Sequence, residues 1–291
     1  MGEDENCMDK QLQRLRQVRE RMPHYRGVLD LAEMLLSEKC RLKDPEGTCT
    51  FAVDPMKAKI QMEEGFPYLR PADVSLDASL VREYFSCLLR GWEEINPAKF
   101  QSLQKTMEKK NFVGIPFWNR LLQNQVSEGT LEEEFGPEGS LLFFFLVQSL
   151  KPFFGGLAKR WNASLKNLSW TQGYCPFCGG VAGMGEIRKE GERALHCLFC
   201  GTTWEYPRMK CPYCQNQDQN QLTYFQVEGE AENRVDICLA CRHYLKTIDS
   251  RQTDGPLDFE VEDYLTLHLD HLAQDEGYIR PSKLFVDVHK N

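Results

Sequence analysis

The sequence lacks a long hydrophobic run. Its most apolar stretch, Leu141 to Val147 (LLFFFLV), falls far short of the roughly 18 residues that suggest a membrane span, and it reads as a buried core helix. A basic excess is missing too: 35 Lys and Arg face 43 Asp and Glu, for a formal charge of −8. Nucleic-acid binders usually carry a local cationic surplus, yet the cysteine-rich stretch 171–250 holds eight Lys/Arg against ten Asp/Glu. No Walker loop, dinucleotide fingerprint or G-x-S-x-G elbow occurs. The cluster Glu132-Glu133-Glu134 reads as a solvated helix face, so no catalytic site is assembled and the expectation is a protein that is not an enzyme. The opening MGEDENCMDK is acidic where a secretory leader is basic, and no apolar segment follows it. A cytoplasmic protein without membrane insertion is expected.

What the chain does have is paired cysteine. Eight of its twelve cysteines form four C-x-x-C pairs: Cys175/Cys178, Cys197/Cys200, Cys211/Cys214 and Cys238/Cys241. Two intervening residues let both sulfurs of a tight turn face one point, so each pair supplies half of a tetrahedral four-sulfur shell. Four pairs imply two metal ions, and in a reducing compartment such pairs favour metal over disulfides. The layout favours sequential grouping, Cys175, Cys178, Cys197 and Cys200 around one ion and Cys211, Cys214, Cys238 and Cys241 around the other. Interleaved pairing stays open, because spacing alone does not fix connectivity. Zinc and iron both accept four thiolates, so the metal stays open as well. A closed shell offers no position for substrate, which argues for structure or electron transfer over Lewis-acid catalysis. The single C-x-x-C near a βαβ unit that marks thioredoxin-type sites is not the pattern here, nor is the C-x-x-C-x-x-C run of many iron–sulfur proteins.

The 291 residues exceed the usual size of one domain. Residues 1–168 read as an α-helical domain. Leu12, Leu15 and Val18 mark one amphipathic helix, Val28, Leu31, Met34 and Leu35 a second, with a break at Met22-Pro23-His24. The stretch Asp44 to Pro55 reads as loop. A third helix is expected from Ser75, with Leu76, Leu80, Tyr84, Leu88 and Trp92 on its apolar face, and a fourth from Asn96-Pro97 to about Lys110. Segments at 116–124 and 130–135 follow. Gly139-Ser140 then opens an apolar helix to Leu150, which Gly155-Gly156 should interrupt before Leu157–Leu168. After Trp170 the period changes to two. Gly180 to Ile187 and Arg193 to Leu195 form a hairpin between two cysteine pairs, and Gln221 to Val227 with Arg234 to Ile237 repeats the plan. The repeat shows in the turns themselves: CPFC matches CPYC, and CLFC matches CLAC, at offsets of 36 and 41 residues. The fold class expected is α+β and multidomain, with two metal modules at 169–208 and 209–252. A C-terminal helix, from Phe259 to Gln274, and a tail fill 253–291.

Other candidate groups read blandly. His196 and His243 lie beside ligating cysteines and read as packing or surface groups, since the cysteines already fill both shells. Cys7, Cys40, Cys49 and Cys87 lack pair spacing and read as incidental thiols. His268 and His271 read as a solvated helix face.

Several of these segments together resemble a known family. The run His196–Cys200 (HCLFC), then Thr203-Trp204-Glu205 and Arg208–Cys214 (RMKCPYC), is similar to the formate dehydrogenase accessory proteins of the FdhE type. So are Cys238–Ile248 (CLACRHYLKTI) and Glu276-Gly277-Tyr278, so that the resemblance covers roughly residues 170–285. It implies a helical domain with two rubredoxin-like modules, iron as the metal with zinc as the alternative occupant, and a cytoplasmic, non-enzymatic maturation role. The implied partner is the formate dehydrogenase catalytic subunit, engaged before export through its twin-arginine signal peptide; a homodimer is a further expectation. An apolar signal segment needs an apolar docking surface, for which Phe153, Phe154, Leu157, Trp161 and Trp170 are the candidates, with interdomain packing as the competing reading. Competing functions are a zinc-ribbon nucleic-acid module and an iron-based redox or electron-transfer protein.

Overall fold

In the computed structural model, residues 2–42, 49–52, 54–165, 170–253, 255, 257–281 and 283–286 are described. Helix α1 (Gly2–Arg21) and α2 (Arg26–Arg41) are parted around Pro23, as the sequence leads one to expect. Several helices begin on a side-chain cap. Asp54 accepts the Met56 and Lys57 N–H groups at the start of α3 (Pro55–Glu63), Asp77 those of Ser79 and Leu80 in α4 (Ala78–Ile95), and Asn96 that of Lys99 in α5 (Pro97–Lys109). Two expectations change here. Ser75-Leu76 is not helical but a short strand, β2, paired with β1 (Cys49–Thr50), and the helix waits for its cap at Asp77. Asp54-Pro55 is more than loop punctuation: like Asn96-Pro97, it is a cap followed by proline at the first helical position. Residues 43–48 and 53 of the expected loop lie outside the described residues.

Helices α6 (Gly114–Leu122) and α7 (Glu128–Phe135) lead into α8 (Gly139–Leu165). Contrary to expectation, α8 runs unbroken through Pro152 and Gly155-Gly156. The reason is burial. Leu142, Phe145, Leu146, Leu150, Phe153, Phe154 and Leu157 are at most 1% exposed, and packing on that scale outweighs costs of about 3 kcal/mol for the proline and about 1 for each glycine. The expected last residues of this helix, 166–168, lie outside the described residues. The stretch Glu128–Trp161 is long and apolar enough to cross a membrane by composition, but 67% of its most apolar window is buried inside the protein, the mark of a core helix.

Past Trp170 the chain forms a six-stranded sheet from β3 (Met184–Ile187), β4 (Arg193–His196), β5 (Thr203–Glu205), β6 (Leu222–Phe225), β7 (Asn233–Cys238) and β8 (Tyr244–Asp249). The order is β5-β4-β3-β8-β7-β6. Each repeat contributes three antiparallel strands, and the two repeats lie side by side in the same orientation. A parallel pairing, Gly185 with Thr247 through Ile187 with Asp249, joins them. Two helices, α9 (Phe259–Leu265) and α10 (Leu267–Asp275), cover one face; the single helix expected there is parted at Thr266, whose hydroxyl donates to the Glu262 carbonyl. One hydrophobic cluster runs from α8 through Phe177 and Phe199 to Phe285 near the end of the described chain.

An ionic network fixes α9 and α10 to the sheet. Lys246, 1% exposed on β8, lies 2.8 Å from Asp263 and 2.5 Å from Asp270, and Arg280 lies 2.6 Å from Asp263. Burial alone would raise the Asp263 carboxyl, but Arg280 and Lys246 outweigh it and hold it at about 2, below its ordinary 3.8. A carboxyl depressed in the fold takes up its proton first in the unfolded chain, so the stability it contributes is full above 3.8 and is lost as pH falls towards about 2. Urea unfolding should therefore show stability falling across that window, and Asp263→Asn should be about 3–5 kcal/mol less stable at neutral pH with a shallower acid dependence. An equally steep fall in the variant would remove Asp263 from the account.

Candidate metal centres

The four cysteine pairs share one backbone device. In each, the residue after the second cysteine donates its N–H to the carbonyl of the first: Gly179 to Cys175, Gly201 to Cys197, Gln215 to Cys211 and Arg242 to Cys238, at 2.8–3.0 Å. The first cysteine in turn donates to the carbonyl one residue further on, at Gly180, Thr202, Asn216 and His243. Closing so tight a turn puts the residue after the second cysteine at positive φ, 71°, 74°, 60° and 59° respectively. Glycine takes that conformation freely, whereas Gln215 and Arg242 carry a left-handed cost of about 1–2 kcal/mol. Sequence reasoning overlooked these four positions, although the glycine after two of the four pairs was a signal.

Two groups of sulfurs result. Cys175, Cys178, Cys197 and Cys200 lie within 4.8 Å of one another, and so do Cys211, Cys214, Cys238 and Cys241, the sequential grouping. The measured S···S separations are 3.4–3.7 Å in the first group and 3.6 and 3.7 Å in the second. A disulfide would need about 2.05 Å. A tetrahedral ion with bonds of about 2.3 Å holds its sulfurs about 3.8 Å apart, so the donor set fits a metal. The electrostatics agree. Burial pushes the Cys175 and Cys178 thiols well up, while hydrogen bonds from its three neighbours hold Cys197 well down. Burial likewise pushes Cys211 up to about 11. Four crowded thiols cannot all ionise unless a cation takes their charge. Both groups can hold zinc or iron.

The surroundings of the two centres differ. All four cysteines of the first are buried, whereas in the second Cys214 is exposed and Cys241 partly so. The first centre is built into the main core: Phe154 of α8 meets Phe199 at 4.8 Å, and Tyr68 and Leu69 donate to the carbonyls of Pro176 and Phe177. Gly180 leaves room for it, since a Cβ there would lie 2.9 Å from the Cys197 sulfur and 3.2 Å from that of Cys178. His196 is buried, bonded to Glu186 at 3.0 Å and Thr203 at 2.9 Å, and stacked on Phe259. His243 is partly buried, its ring 2.9 Å from the Cys241 carbonyl.

Comparison with known proteins follows this division. A family profile described as FdhE, C-terminal domain, matches residues 209–285. An FdhE homolog of Aquifex aeolicus is 26% identical over 283 residues, covering 94% of this chain and 93% of that protein. The FdhE protein of Escherichia coli is 34% identical over 113 residues, 38% of this chain and 36% of its own. The crystal structure of the FdhE protein from Pseudomonas aeruginosa superposes with a TM-score of 0.61 at 24% identity, covering 96% of this chain and 94% of that one. The chain is similar to FdhE proteins along almost its whole length.

The apolar residues considered for partner docking are placed inside. Phe153, Phe154 and Leu157 are at most 1% exposed and Trp170 9%, so in this arrangement they pack the junction of helices and sheet. Trp161 is half-buried, against Phe51 and Tyr68. His268, expected on a solvated face, is half-buried and bonded to Glu230 at 2.9 Å; His271 is exposed beside Tyr25. Cys49 is buried, Cys87 partly so, and the Cys7 and Cys40 side chains lie outside the described residues.

Two outcomes follow for metal-loaded protein. A chelator should empty the exposed second centre before the first, giving two separate phases of release; a single phase would contradict the asymmetry. Gln215→Gly, which relieves the left-handed residue, should slow the faster phase and stabilise its ribbon by about 0.5–1 kcal/mol.

Proposed function

We propose that this chain is a non-enzymatic accessory factor needed for active formate dehydrogenase, which it serves in the cytoplasm by binding the catalytic subunit before export. The observation that carries the reading is similarity to an FdhE homolog along 94% of the chain. The closed sulfur shells support it, because a tetrahedral four-thiolate centre has no position left for substrate and serves to hold a surface in shape. Resident metal would lend the hairpins stability that so small an apolar interior cannot.

The twin-arginine signal peptide is the segment of the client we assign to the helical half. A cleft of 490 Å³ between α2 and α4 is lined by Asp30, Glu33, Glu38 and Glu94, with Arg41 and Arg90 beside them. Its carboxylates suit guanidinium groups: Glu33 accepts from Arg16 at 2.7 Å and Asp30 from Arg19 at 2.6 Å. Pairs this exposed are worth about 0–1 kcal/mol, so an incoming arginine can exchange with them.

Deletion of the gene should abolish formate dehydrogenase activity while the catalytic subunit is still synthesised; normal activity would overturn the accessory role. In pull-downs, Glu33→Lys with Glu94→Lys should weaken capture of the full-length subunit. Undiminished capture of a subunit lacking its signal peptide would defeat the signal-peptide version alone.

A further inference from the structure

The sheet face turned away from α10 carries a pocket of 180 Å³ beside the second centre, over β6, β7 and β8 and walled by residues 208–213. Strand alternation decides what reaches it. On β7, Val235 and Ile237 pack with Leu269 and Ala273 of α10, so Arg234 and Asp236 project to the opposite side. Tyr224 stands opposite Asp236 in register and shares that face. Arg193 enters from β4 and pairs with Asp236, as does Arg234, while Arg208 and Lys210 border the pocket from the wall, the Lys210 ammonium resting on the Thr171 carbonyl. Four cationic residues thus border the pocket against one carboxylate, Asp236, in a chain whose net charge is −8. Cys211 and Cys238 also border the pocket. With a divalent ion their cage carries two net negative charges, which still leaves the cations in excess.

Two observations point to a ligand. Arg193 is only 6% exposed; its Nη1 donates to the Arg208 and Lys210 carbonyls at 3.3 and 3.2 Å and its Nη2 lies 3.5 Å from Asp236, but its buried Nε has no hydrogen-bond partner among the described residues. A buried N–H left so is unfavourable, the more so on a charged group, and an anionic acceptor that the guanidinium turned to meet would satisfy it. The second is the sheet edge. β6 ends the sheet with a neighbouring strand on one side only, Tyr224 on it is 56% exposed, and the Arg234 guanidinium lies 5.0 Å over the Tyr224 ring, towards that edge.

We propose that an extended, acidic segment of a partner polypeptide adds as a strand to β6 and places a carboxylate among Arg193, Arg208, Lys210 and Arg234. The pocket is smaller than the roughly 300–1,000 Å³ that enclose cofactor-sized ligands, and its volume suits one acidic side chain. Main-chain bonds to the edge supply affinity and the pocket supplies selectivity. This rests on the reading that the chain binds a client protein. It adds a second contact, away from the α2–α4 cleft.

The test uses the full-length, metal-loaded protein and a fluorescein-labelled heptapeptide of alternating valine and glutamate, followed by anisotropy. Binding is expected to weaken with salt. It should drop about tenfold or more in Arg234→Glu and in Arg208→Glu with Lys210→Glu, since a charge-assisted hydrogen bond is worth about 1.5–3 kcal/mol. Metal content and melting temperature of the variants verify that they fold. The lysine analogue of the peptide, and one N-methylated on alternate residues so that it cannot form a ladder, should not bind. Equal binding of either peptide, or no loss in both variants, overturns the proposal. So does inorganic phosphate occupying the pocket while no peptide binds. Because the assay contains no formate dehydrogenase, an active enzyme in the deletion strain alongside normal peptide binding would refute the client and keep the docking site.

Discussion

Four thiolates packed at van der Waals distance repel one another, and only a shared cation makes them cohere. The C-terminal half of this chain is arranged around that constraint. Its hairpins have strands of three to six residues, too short to enclose an interior of their own, and each is pinned at both ends by a cysteine turn. The same two backbone bonds close all four turns and aim the two sulfurs of each pair at one point.

From the shared turn the two centres diverge through their neighbours. The first is enclosed by aromatic rings of α8 and by the 66–70 segment, so that ligating its ion also fastens the helices to the sheet. The second lies at the outer side of the sheet, with two non-glycine residues in left-handed geometry. The last described residues tie both together. Ile279 exchanges hydrogen bonds with Arg242 and Tyr244 at the second centre, and Leu284 and Val286 bond to Val181 and Gly179 at the first. A change at either centre therefore reaches the other through one short segment as well as through the β3–β8 pairing.

What could be read in the sequence follows the range of the interaction involved. Cysteine spacing and strand alternation are local signals: the first favoured the sequential grouping of sulfurs while leaving an interleaved one open, and the second placed both hairpins within a few residues. Caps are local too, and Asn96-Pro97 was legible, while the identical device at Asp54-Pro55 was masked by neighbouring turn residues. The long-range features were not legible. Nothing in β3 or β8 alone announces a parallel pairing between residues 185 and 247, and the local penalty of Gly155-Gly156 wrongly divided α8, because it carries no information about the depth at which the helix is buried. The same blindness to burial made Phe153, Phe154 and Leu157 look available to a partner.

Averaged charge conceals a further division. A net −8 argued against polyanions, and for the molecule as a whole that argument stands. It does not describe either surface on which a partner could dock. The α2–α4 cleft mixes carboxylates with Arg41 and Arg90 on a helical scaffold, while the pocket beside the second centre is bordered by four cationic residues and one aspartate. Surfaces that differ in charge in this way would give a docking chain a preferred orientation. The cationic group also has a reason to persist that the acidic one lacks. With a divalent ion bound, the four thiolates of the second centre would leave a cage of two net negative charges, which would stabilise closely spaced cations that otherwise repel one another and so help keep a positive pocket assembled at the open edge of the sheet.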